Sequence, residues 1–328
     1  RLVMTFDIYH KVTNDMLLAI NVPAQSGFLT DWANIGSLLN KGFEASINFD
    51  VLRKKSFLWR VNANYSQNEN TVLDLADSDY MLFGNYILQE GKPVGAFYGY
   101  VTDGIYKDED EAAAGPVEVQ YLSSGNEPGY RRFVDFNDDG IIDNNDRDII
   151  GYGHPDGFGG ISNSIRYKGF KLDVFLIYSH GNLIYNATRQ KLEDMFGSKG
   201  TRNRYSTVTD RWRPPNSYYY GDPGNPEGVL PGITYDETIF HDDYLESGNY
   251  LKLKSVNLSY DLPQTYAKMI LMKNLRFRIN LTNLYTFSDY LGYDPEINMG
   301  KNKGLMPSTD NAGAPPSLIV SFGITGKF

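Results

Sequence analysis

The chain has 328 residues, 41% of them apolar and 22% charged, with no cysteine and a formal net charge of -9. Such a length can bury a sizeable core or form two domains. The missing cysteines exclude a disulfide framework and thiolate metal sites, the acidic balance disfavours a nucleic-acid partner, and no apolar run of about 18 residues exists to cross a membrane as a helix.

Eight strands are predicted by period-two alternation. The first, Leu2 to Lys11, sets Leu2, Met4, Phe6 and Ile8 against Thr5, Asp7 and Tyr9. It begins almost at Arg1, which predicts a chain whose start lies elsewhere. The second, Gly42 to Val51, sets Phe43, Ala45, Ile47 and Phe49 against Glu44, Ser46, Asn48 and Asp50. The third alternates Phe57, Trp59, Val61, Ala63 and Tyr65 with Arg60, Asn62, Asn64 and Ser66. Gly160 to Tyr167 turns at Lys168-Gly169 into Phe170 to Ser179, and Tyr250 to Tyr260 makes the sixth strand. The seventh alternates Leu275, Phe277, Ile279 and Leu281 with Arg276, Arg278 and Asn280, and the eighth runs from Ser317 to the aromatic terminus Phe328.

Connections sort by parity. Roughly 5, 2 and 13 residues join strands two to three, four to five and six to seven, whereas the others run to about 30, 90, 70 and 30. Two long loops are expected, over 68–159 and 180–249. Short turns on one side and long loops on the other, with a polar face opposite an apolar one, are the pattern of an outer-membrane wall. Arginine on the apolar face would cost roughly 2–4 kcal/mol in lipid, and Arg276, Arg278 and Arg60 all lie on the other face. The expectation is an all-β fold, a transmembrane antiparallel β-barrel of which this chain supplies an arc. A soluble β-sandwich with one solvated face is the plain alternative.

Thirteen Asp or Glu against four Lys or Arg fall between Asp103 and Asp148. Within them Asp135, Asn137, Asp139, the Ile141 carbonyl, Asp143 and Asp146 take positions 1, 3, 5, 7, 9 and 12 of an EF-hand-type loop, with Gly140 at the sharp turn. These hard oxygens suit Ca2+ in a structural role. The final Asp is shorter than the usual Glu, flanking helices are missing, and an acidic turn without metal is the alternative.

His10, His154, His180 and His241 show no ligand spacing. Asp242, Asp243 and Glu246, or Asp294 and Glu296, could be read as glycosidase carboxylates, yet loop acids are usually just solvated. No nucleophile elbow appears, so no enzyme is expected. Among the loop aromatics, Tyr98, Tyr106, Trp212, Tyr219, Tyr244 and Tyr290 are the candidate cargo or partner contacts. Each could equally knit a loop core.

Several segments resemble the C-terminal barrel portion of the SusC/RagA family of TonB-linked outer-membrane proteins. They are Asp7 to Leu17, Asn34-Ile35-Gly36 with Asn40 to Glu44, Gly95 to Tyr100, Asp148 to Gly151, Asn283 to Tyr290, Gly292 to Glu296 and Pro315-Pro316-Ser317. The resemblance implies about the last eight strands of a plugged barrel of about 22, in the outer membrane of a Bacteroidetes-like Gram-negative bacterium. It implies import of oligosaccharides or peptides and a SusD-like lipoprotein lid. TonB would be reached through an N-terminal part not in this sequence, with the remaining barrel and plug supplied elsewhere and outer-membrane lipid around it. The alternative is a calcium-stabilised surface binding or scaffold module without transport.

Overall fold

The computed structural model describes all residues except 22–24, 26, 29, 77, 197–202, 237–238 and 300–303. Eight strands form one antiparallel sheet in chain order: β1 (Leu2–Thr13), β2 (Ser37–Lys54), β3 (Phe57–Asp74), β4 (Gly157–Tyr167), β5 (Phe170–His180), β6 (Tyr250–Asp261), β7 (Asn274–Phe287) and β8 (Ile319–Lys327). β3 outruns its apolar alternation. Asn68 and Glu69 read as loop residues, yet the Asn68 amide donates to Asn40 at 3.2 Å and Glu69 pairs with Lys41 at 3.1 Å, carrying the ladder to Asp74.

Register sets apolar residues opposite apolar ones along much of the sheet. Ile47 lies opposite Met4 and Ala63, Leu172 opposite Ile165 and Leu258, and Ile279 opposite Leu258 and Phe322. The other face carries Asn48 opposite Asn62 and Asn257 opposite Asn280. A one-residue slip would exchange the faces throughout, so the apolar pattern itself fixes the pairing. Phe6, Ile8, Phe322 and Ile324 are exposed on the apolar face.

The sheet is open, which corrects the expected barrel. β1 is bonded to β2 alone and β8 to β7 alone. A free strand edge in hydrocarbon would leave backbone N–H and C=O groups without partners, so this arrangement is not a membrane-spanning barrel and its strands are not assigned as transmembrane. Alternation reports two unlike faces; it carries no information about whether the outermost strands meet. No described helix is long and apolar enough to cross a membrane.

The long connections are structured. Asp148–Tyr152, Ala96–Gly99, Tyr86–Gln89 and Tyr80–Phe83 form a four-stranded sheet, and Leu183–Asn186 pairs with both Leu245–Ser247 and Thr309–Asp310. Three small cores hold this layer. One gathers Tyr106, Tyr130, Phe133, Ile142 and Tyr235, a second Val72, Leu75, Leu88 and Val94, and a third Tyr86, Phe97 and Phe240.

Candidate functional site

The acidic turn is built by side chains capping the main chain. Asp138 and Gly140 take left-handed backbone, at φ 58° and 81°, which places successive N–H groups toward nearby carboxylates. Gly140 N–H donates to Asp135 Oδ2 at 2.8 Å, Asp139 N–H to Asn137 Oδ1 at 3.1 Å, and Ile141 N–H to Asp139 Oδ1 at 2.8 Å. Asn145 N–H donates to Asp143 Oδ1 at 2.7 Å. Asp146 is fully buried, and its two oxygens accept from Phe136 N–H at 2.9 Å and Asp143 N–H at 2.8 Å.

Both features bear on a cation. Asp135 Oδ1 is buried with no hydrogen-bond partner, an oxygen acceptor to spare. Against that, no group of three or more His, Asp or Glu side chains among the described residues is arranged to hold a metal ion. The carboxylates are turned to the backbone, although each such oxygen keeps a further lone pair.

The six candidate aromatics divide by burial. Tyr106 is enclosed, donates to the Pro116 carbonyl at 3.0 Å, and burial pushes its hydroxyl up to about 12. Tyr290 is buried and donates to Asp310 Oδ2 at 2.7 Å; burial first, then that carboxylate, raise its pKa. Tyr244 is buried against His241, with the Arg189 guanidinium 5.2 Å from its ring. These three hold the layer together and present no ring outward. Tyr98 is half-buried beneath the Arg147 guanidinium.

Trp212 and Tyr219 remain accessible. Trp212 is half-buried, its indole N–H donates to the Lys107 carbonyl at 3.2 Å, and it lines a groove of about 800 Å3 with Pro128, Pro214, Tyr218 and Ile233. Tyr218, Tyr219 and Tyr220 project beside it, with Tyr220 98% exposed. Their turn is fixed from below. Asp222, buried, accepts from Arg213, Ser217 Oγ and the N–H groups of Tyr218 and Gly224. The Arg213 guanidinium also lies 4.4 Å from the Tyr218 ring. Three consecutive tyrosines were the signal for this tip, although the candidate set named only Tyr219. A rigid tip with exposed aromatics loses little entropy on contact.

The acidic pairs are engaged elsewhere. Asp243 pairs with Arg131, Asp242 accepts from Thr102, Glu246 pairs with Arg189, and Asp294 and Glu296 share Lys252. The four histidines are dispersed: His154 meets the Gly304 carbonyl, His180 meets Tyr65, His241 is buried and His10 is exposed.

No family model matches the chain. It is 32% identical over 342 residues to the TonB-dependent receptor P3 of Formosa agariphila, covering 100% of this chain and 32% of that protein. Against the TonB-dependent receptor SusC of Bacteroides thetaiotaomicron it is 26% identical over 308 residues, covering 90% and 28%. The RagAB peptide importer in its "closed-closed" state matches with a TM-score of 0.80 and 25% identity over 100% of this chain and 34% of that one. The chain thus spans about a third of the length of these relatives. Likeness to SusC/RagA-type receptors is supported, but the expected assignment to a barrel portion is overturned by the open sheet. The relatives are receptors and an importer, and none is described as an enzyme.

Proposed function

We propose that the chain is part of a TonB-linked outer-membrane receptor that takes up large nutrients, oligosaccharides or peptides. A SusD-like lipoprotein would act as its lid, and the rest of the receptor would reach the TonB complex. The observation that carries this is whole-length similarity to a third of several TonB-dependent receptors. Accessible aromatics crown the layer formed by the long connections, and that layer is the cargo-facing, extracellular side in this reading. Trp212, Tyr218 and Tyr219 offer flat apolar faces beside polar groups, which suits ring stacking or side-chain anchoring. Ca2+ held around Asp135 would staple the acidic turn within the same layer, a reading supported by the spare Asp135 oxygen.

Growth on an oligosaccharide or peptide mixture as sole carbon source tests the proposal. Uptake should require both the full-length protein and the TonB complex. Cargo retention that persists without TonB, with no uptake in either background, would instead identify a calcium-stabilised surface binding module.

A further inference from the structure

The short-turn end of the sheet carries charge opposite to that of the chain. A groove of about 640 Å3 there is lined by seven Lys or Arg and one carboxylate, in a protein of net charge -9. Three of the cations are neutralised: Arg53 pairs with Asp50, Lys171 with Asp173, and Arg276 with Asp261. Lys54, Lys55, Arg166 and Lys168 are exposed and form no ion pair among the described residues, Lys168 lying 5.2 Å from the Tyr167 ring.

A second feature shares this end. Phe57, Tyr167, Phe170, Tyr260 and Phe277 are successive cross-strand partners over five strands, an unbroken aromatic row on the apolar face. Phe57 meets Tyr167 at 6.2 Å and Phe170 meets Tyr260 at 4.4 Å. Tyr167, Phe170 and Phe277 are 46%, 51% and 41% exposed. The register places Lys54 opposite Phe57, on the row's own face, and Lys55 and Lys168 lie in the turns at its end, whereas Arg166 falls opposite Leu58 and Lys171 on the other face. A ligand that satisfies both must join an anion to an apolar body. Phosphate alone would use the cations and leave the rings in water.

We infer that this groove binds the phosphate-bearing headgroup of an anionic phospholipid, with the aromatic row covering its glycerol and upper acyl segment. The site is separate from the cargo-facing aromatics and does not rest on transport. Each unpaired cation adds about fivefold to affinity for an anionic lipid surface, and added salt weakens it.

The test uses the full-length protein in neutral detergent, titrated with short-chain phosphatidylglycerol, with phosphatidylcholine, or with inorganic phosphate. Retained ligand is read by native mass spectrometry. Phosphatidylglycerol should be retained well above phosphatidylcholine. The triple variant K54Q/K55Q/K168N should lose that excess by about a hundredfold; asparagine suits the left-handed backbone at Lys168, φ 46°. K54R/K55R should keep it. Equal retention of the two lipids, an unchanged preference in the triple variant, or loss in the arginine variant overturns the inference. Displacement of phosphatidylglycerol by inorganic phosphate at equal concentration also overturns it, because the rings then contribute nothing.

Discussion

Lys252, near the start of β6, is 1% exposed, and its ammonium lies 2.8 Å from both carboxylate oxygens of Asp294, itself 6% exposed. The pair ties the sheet to the connection between β7 and β8. Removing the lysine leaves the Asp294 carboxylate buried without its cation, the costly way to break such a bridge. Lys252→Met should therefore destabilise the chain by about 3–5 kcal/mol, and Lys252→Met with Asp294→Leu should recover most of that loss. Chemical denaturation checks both; a single variant as stable as the wild type would refute the assignment.

The same lysine makes the connection sensitive to acid. Burial raises the Glu296 carboxyl, but hydrogen bonds from Lys252 and Lys254 outweigh it and hold the group below its ordinary value of 4.5. The folded state thus holds this proton less tightly than the unfolded chain does. Its contribution is complete above about pH 4.5 and fades as pH falls through the lower folded value. Amide protection factors around Glu296 should fall in that acid range, and Glu296→Gln should flatten the response. Identical profiles in both proteins would rule the mechanism out.

The strands were legible because their alternation is strict. In β7, Phe277, Ile279 and Leu281 fall on one face and Arg276, Arg278 and Asn280 on the other, and the observed register keeps them there. Lys252 was not legible as a buried group. Its partner lies 42 residues on, and periodicity cannot report contacts at that separation. The burial of Tyr106 and Tyr290 is hidden for the same reason: an aromatic in an aperiodic segment gives no sign of which way it packs. Closure of the sheet was the largest error, since it concerns edges rather than faces.

The acidic turn separates metal binding from backbone capping. Asp146→Ala removes the acceptor of two N–H groups and should cost about 1–3 kcal/mol even in the calcium-free protein. Asp135→Asn keeps an oxygen for Gly140 N–H while removing the spare charged acceptor. Added Ca2+ should raise the thermal midpoint of the wild type and leave Asp135→Asn unmoved. A chelator-treated wild type that shows no response to Ca2+ would leave the turn as a cap alone.

Gly129 fixes the wall of the aromatic groove. It adopts φ 89°, and a Cβ there would sit 2.4 Å from Trp212 Cε3, far inside contact distance. Gly140 has a similar φ of 81° with no atom within 4 Å of its Cβ position, so it measures backbone strain without the clash. Both alanine variants should destabilise, each by more than about 1 kcal/mol, with Gly129→Ala the more costly. Only Gly129→Ala should also move the indole and change Trp212 emission, read as the difference from the same variants carrying Trp212→Phe. Cargo binding should fall with that emission change and not with stability. If Gly140→Ala weakened binding as much as Gly129→Ala, the groove would be incidental and the loss would reflect the loosened layer.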